Sequence, residues 1–193
     1  TTTQIAHLTT DQISALTGSQ VQALTTRQLP SLTTQALLTL NSSQIAMLNS
    51  NQVQSLTTNQ VSQFRPDQVQ AMTTAQIQAL TTDQIPQLQT EQINALSPAQ
   101  IASLTSDQLQ KLTSQQLLTL STLQIPALSS SQIQAFSTQQ WPQFTTQQIA
   151  KLTTQQLQAL SSDQIRALTS TQLPVLDNKQ IGALSSLQIA ALS

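Results

Sequence analysis

Read in steps of eight from Thr1, the chain repeats one pattern of polar and apolar positions to its end, without an insertion or a deletion. There are 24 such octads, and Ser193 opens a further one. The pattern is [Ser/Thr]-[Ser/Thr]-x-Gln-[Ile/Val/Leu]-x-x-Leu. Position four is Gln in every octad except the one holding Ala36. Position five is Ile, Val or Leu everywhere but Trp141. Position eight is Leu except at Phe64, Met72, Phe136 and Phe144. A fixed short period identifies a repeat architecture, in which each octad meets the same physical surroundings as its neighbours.

An unbroken α-helix does not fit this period. Eight steps of about 100° leave the apolar stripe drifting by about 80° per octad, and the seven prolines would interrupt it. A β-solenoid fits no better, because positions five and eight would fall on opposite faces of a strand. Only two glycines are available for its corners. One short helix per octad explains more. Ser, Thr, Asn or Asp stands at position one in 22 of the 24 octads, as an N-cap would. Gln at position four then completes a capping box, as in Ser97-Pro98-Ala99-Gln100. Pro66 and Pro98 fall at the first helical position, where proline is tolerated. The Leu before each cap and the apolar residue at position five make a hydrophobic staple.

The charges agree with this phase. Asp11, Asp67, Asp83, Glu91, Asp107 and Asp163 all occupy position three, in the first turn, and Asp177 is itself a cap. Lys111, Lys151, Arg166 and Arg65 lie at or just past the opposite end of their helices, as the helix dipole favours. The next cap arrives after eight residues, so each helix is about one turn long and partly 3₁₀ in character. Pro30, Pro86, Pro126, Pro142 and Pro174, all at position six, enforce that limit. Helices this short do not stand alone in water. The expected fold is therefore all-α: a solenoid of one-turn α/3₁₀ helices over residues 1–193, with positions five and eight inside and Ser/Thr rows outside. Both ends are in phase with the repeat and lack polar capping octads, so an excerpt of a longer array is expected.

Position four carries Gln but never Glu, although a capping box accepts either. Stacked carboxylates would repel, whereas amides both donate and accept. This predicts a partly buried structural ladder through Gln4, Gln12, Gln20, Gln28, Gln44, Gln52, Gln60, Gln68, Gln76 and Gln84. Ala36 should leave a gap in it, which Gln35 is placed to repair.

Composition narrows the function. Charged residues make up 7% of the chain, aromatics 2%, and the net charge is −1, which gives nucleic acid or an anionic membrane no electrostatic attraction. No apolar run approaches the roughly 18 residues a membrane span needs, so no membrane insertion is expected. The residues from Thr1 on show no basic-then-apolar leader pattern, and no Cys is available for disulfides or thiolate sites. No phosphate loop, nucleophile elbow or metal-ligand spacing occurs, so neither catalysis nor a cofactor or metal is expected. His7, the sole histidine, reads as an exposed substitution. Phe136, Trp141 and Phe144 with Pro142 read as a bulkier core layer, or alternatively as an aromatic patch for a sugar or protein partner.

Octads such as Leu80-Thr81-Thr82-Asp83-Gln84-Ile85 and Leu152-Thr153-Thr154-Gln155-Gln156-Leu157 resemble the octapeptide arrays of very large bacterial secreted proteins of the haem-utilisation and adhesion exoprotein type. The resemblance covers the whole chain. It implies an extracellular or cell-surface protein in which this segment is a stalk or filament. It does not carry haem binding over, because one His with no Cys or Tyr leaves almost no axial ligand. The sequence thus reads as a structural scaffold. The alternatives are a self-assembling fibre subunit, with itself as partner, and an ice- or polysaccharide-binding array that meets surface glycan through its Ser/Thr rows.

Overall fold

A computed structural model describes residues 1–192. Among these residues the chain forms 19 α-helices and five 3₁₀ helices, with no strand, and each octad carries one helix. The α-helices are four to six residues long, as in Thr146–Ile149 and Thr74–Ala79. Among the described residues no helix is long and apolar enough to cross a membrane.

Each helix starts where the cap chemistry dictates. In the octad of Thr73, the threonine backbone is extended at φ −70° and ψ 159°. Its Oγ1 accepts from Gln76 N at 3.2 Å, while Gln76 Oε1 accepts from Thr73 N at 2.7 Å. The box thus satisfies two backbone donors that the helix start leaves without intrahelical partners. The helix ends within the same octad because position eight returns to extended backbone, as at Leu80 with φ −56° and ψ 135°. That residue both closes one helix and delivers the chain to the next cap.

The five 3₁₀ helices, Leu29–Ser31, Ile85–Gln87, Ile125–Ala127, Trp141–Gln143 and Leu173–Val175, are the five octads with proline at position six. Proline has no N–H to return to the carbonyl of position two, so the α-turn cannot propagate. The chain instead makes two tighter turns. In the octad of Thr81, Gln84 N donates to Thr81 O at 3.0 Å and Gln87 N donates to Gln84 O at 3.1 Å. The capping box survives intact, with Gln84 Oε1 accepting from Thr81 N at 2.8 Å. Proline therefore changes the helix type and leaves the phase untouched.

The described chain divides into two compact units, Thr1–Ser103 and the part from Leu104 on. In the first, helix Ser50–Ser55 packs on Thr74–Ala79, and Pro66–Ala71 packs on Thr90–Ala95. In the second, Ser130–Ala135 packs on both Ser106–Gln110 and Thr154–Ala159. Every one of these pairs is three octads apart. Side-chain hydrogen bonds in both units reach back 28 and 31 residues. Within each unit the chain therefore comes back against itself three to four octads later. Positions five and eight face inward, with Ile77, Ile93, Leu157 and Ile165 wholly buried. Burying such a side chain contributes about 1.5–3 kcal/mol.

Candidate functional site: the glutamine row

The Gln at position four links many octads to an earlier part of the chain. From Gln44 to Gln188 every Gln at this position is buried. In the first unit, Gln76 fixes its oxygen in the capping box and turns its Nε2 toward the preceding turn of the chain. That nitrogen donates to Ile45 O at 2.7 Å and to Leu48 O at 2.6 Å. Gln52, Gln60, Gln68, Gln84, Gln92 and Gln100 reach the equivalent pair of carbonyls. Gln148, Gln156, Gln172 and Gln188 do the same in the second unit. The acceptor at position eight lies past its helix end, where carbonyls lack an intrahelical donor. Each amide therefore serves as a clamp: one end caps its own helix and the other closes an open helix end one turn earlier.

This differs from the expected ladder in how the row is wired. The amides bond to main chain rather than to one another. It also explains why Glu is absent. A carboxylate keeps the cap acceptor but has no N–H for the two carbonyls, and would place a buried charge against their oxygens.

The first ladder members fall short of the expectation. Gln4, Gln12 and Gln20 are exposed and Gln28 is half-buried. Each keeps its capping oxygen, at 2.8–2.9 Å from the cap nitrogen, but no preceding turn lies within reach of Nε2. Gln35 does not repair the octad of Ala36: it is exposed, and Ala36 is itself buried. What remains there is half a cap, Ala36 N to Thr33 Oγ1 at 3.1 Å. The Thr39 hydroxyl donates mainly to Ala36 O at 2.7 Å and lies 3.4 Å from Thr10 O. The row also extends beyond the residues singled out above, through Gln92 to Gln188. Its only sequence signal is the same one, Gln without Glu.

Phe136, Trp141 and Phe144 form a cluster, but not a surface patch. They are 1%, 0% and 4% exposed, so no ring face is open to a ligand. Their rings meet edge-on and tilted at centroid distances of 5.1–6.2 Å, as aromatic pairs prefer. The layer is not relaxed. Trp141 Nε1 is buried without a hydrogen-bond partner. The clamp of its octad is long, with Gln140 Nε2 at 3.1, 3.4 and 3.3 Å from Leu109 O, Gln110 O and Leu112 O. Ser137 has turned its hydroxyl onto Gln140 Oε1 at 3.3 Å.

The titratable groups lie outside. His7 is exposed, its Nδ1 2.7 Å from Thr3 O. Arg65 replaces the usual cap and has no acceptor for Gln68 N; its guanidinium donates instead to Leu38 O and to Asp67. The Arg65 hydrogen bond holds the Asp67 carboxyl below its ordinary range. Among the described residues no group of three or more His, Asp or Glu could hold a metal ion.

The ALTTAQ repeat family matches residues 1–26, 58–90, 85–122, 142–170 and 165–193, well over half of the chain. The chain belongs to the ALTTAQ repeat family. No curated protein matches it. The six letters run from position seven of one octad to position four of the next, as in Ala79-Leu80-Thr81-Thr82-Asp83-Gln84. An ALTTAQ unit thus spans the joint between two helices: the Leu that ends one, the Thr that caps the next, and the Gln that clamps the turn before. Two stretches are unmatched: 27–57, which holds Ala36 with its missing clamp and the caps Asn41 and Asn49, and 123–141, which holds Phe136 and Trp141.

Proposed function

We propose that this structural repeat protein is a scaffold whose octads wind into one continuous solenoid, serving as a stalk or spacer segment of an exported, cell-surface protein. The observation that carries the reading is the clamp. The Gln, the cap and the two apolar side chains of an octad are all taken up in holding that octad to its own helix and to the turn before it. Such a segment gains length by repetition at nearly constant cost per turn, because each unit contacts only near neighbours. The surface left over is mostly Ser, Thr and Gln with little charge. That composition suits exposure to solvent without attraction to nucleic acid or anionic lipid. The cell-surface placement rests on the resemblance to secreted exoproteins alone, and the reading includes no catalysis.

The test is a length series. Versions lengthened or shortened by 24-residue blocks, three whole octads, should change the maximum dimension in small-angle scattering by about 10 Å per block, one helix diameter. They should also melt at temperatures that rise with block number. Dimensions that grow as the square root of length, as a flexible chain would give, sink the solenoid. Scattering mass that climbs with concentration would replace the passive spacer by a self-assembling fibre.

A further inference from the structure

The second unit, considered by itself, carries a groove of about 700 Å³ on its outer face, within the size range of small-ligand sites. It crosses successive turns of the chain. Gln110 and Gln134, both at position six and 24 residues apart, line it together with Asp163, and Ala135 and Ala159 supply methyl groups to its floor. Position seven is alanine at both places, as in many octads. At Gln63, Gln87, Lys111, Gln143 and Lys151 the same position carries a long side chain.

Phe136 forms part of the groove's wall, and behind Phe136 sits the aromatic layer with the stretched Gln140 clamp and the turned Ser137 hydroxyl. Bulky rings fill this level where other octads carry Ile and Leu. The groove opens beside it. Gln134 already bridges the gap, its Nε2 donating to Ala159 O at 2.6 Å, which leaves its oxygen as a free acceptor. Gln110 offers a whole side-chain amide, and Asp163 is held by Arg166 at 2.6 Å through one oxygen only.

We propose that this groove binds a short neutral oligosaccharide. The lining presents amides and one carboxylate as hydrogen-bond partners for hydroxyls, above a floor of methyl groups that fits the C–H face of a sugar ring. A phosphate or a nucleic acid is disfavoured by the carboxylate and by the lack of a cationic cluster. The site is distinct from a surface aromatic patch, since the tryptophan is buried and offers no ring face. It does not depend on the scaffold proposal.

The experiment is a nitrogen-15 NMR titration of the whole chain with cellotetraose and with chitotetraose at millimolar concentration. The side-chain amides of Gln110 and Gln134 and the backbone of residues 159–163 should shift together and saturate. Ala159→Gln installs on the floor a side chain that this position accepts elsewhere. It should weaken binding about tenfold or more while leaving the melting temperature in place. Gln110→Ala, a change at an exposed position, provides a second variant with the same expected loss. The proposal is overturned if neither sugar saturates, if the shifts spread evenly over the octads, or if both variants bind as the parent does. Saturation by an extended peptide and by neither sugar overturns it as well.

Discussion

Gln12 and Gln76 occupy the same position of the same octad and do different work. Both accept from the backbone nitrogen of their cap, at 2.9 and 2.7 Å, and both cap residues accept in return from the Gln nitrogen at 3.2 Å. There the likeness ends. Gln76 is buried and its Nε2 holds Ile45 O and Leu48 O. Gln12 lies open, with Leu16 beside it only half-buried. The difference separates two functions that one amide performs at once. Capping is local and is present in any octad. Clamping appears only where another turn of chain already lies beneath. The first prepares the second: an oxygen held by the cap fixes the side-chain rotamer, whose loss of freedom would otherwise oppose the clamp by about 1.5–2 kcal/mol.

The same substitution in the two places gives the largest expected contrast. Gln76→Glu leaves two carbonyls without donors and buries a charge with no counter-ion, a cost of about 3–5 kcal/mol at neutral pH. Gln12→Glu keeps the cap, loses no clamp, and should change stability by less than about 0.5 kcal/mol. Urea melts of both variants check this. Equal losses would break the distinction between cap and clamp. The buried glutamate also carries a pH signature. Its folded-state pKa is raised, so the folded state favours the protonated form, which regains one donor. The penalty of Gln76→Glu should therefore shrink as pH falls toward the ordinary glutamate range and grow as pH rises above it.

The octad of Ala36 permits the reverse experiment. Ala36→Gln supplies the missing amide 31 and 28 residues after Ile5 and Leu8, and should stabilise the first unit by about 1–2 kcal/mol. Protection of the Leu8 region from hydrogen exchange should rise with it. A destabilised variant would mean that neighbours have closed over the alanine. A smaller and deliberately equal effect is expected at the caps. Thr9→Ala and Thr81→Ala each remove one acceptor from a helix start, at a cost of about 1 kcal/mol in either region. A much larger loss at Thr81 would show that cap and clamp are coupled beyond the rotamer argument. Smallest is Asp67→Asn. Its pair with Arg65 is exposed and contributes a few tenths of a kcal/mol at most. Because the Asp67 pKa is lowered in the folded state, that contribution exists above the ordinary carboxylate range and is lost as pH falls through it. Melting of the variant and the parent should converge in acid.

Much of this was legible in the residues. Thr73, Gln76 and Ile77 state a helix start by their spacing alone, and Pro86 states where that helix must tighten. The inward positions followed from the same phase, and Trp141 was readable as a bulky core layer. Other features were not legible, for a common reason. The partner of Gln76 Nε2 lies 28 and 31 residues earlier, and an octad period by itself contains no such number. The amide row was therefore expected to pair side chain with side chain, and Gln35 was expected to stand in for Ala36. The groove beside Phe136 depends on which octads stack, so position-seven alanines 24 residues apart carried no meaning until the turns were laid side by side.

By itself, then, the sequence determined the local unit: a capped one-turn helix, its phase, its two apolar side chains and the proline-driven 3₁₀ variants. These are set by contacts within eight residues, where backbone geometry and side-chain reach leave few choices. Only the tertiary structure decided the return after three to four octads, and with it which Gln becomes a clamp and which stays a cap. That return depends on how short helices pack against one another, and packing is a property of the turns together rather than of any octad.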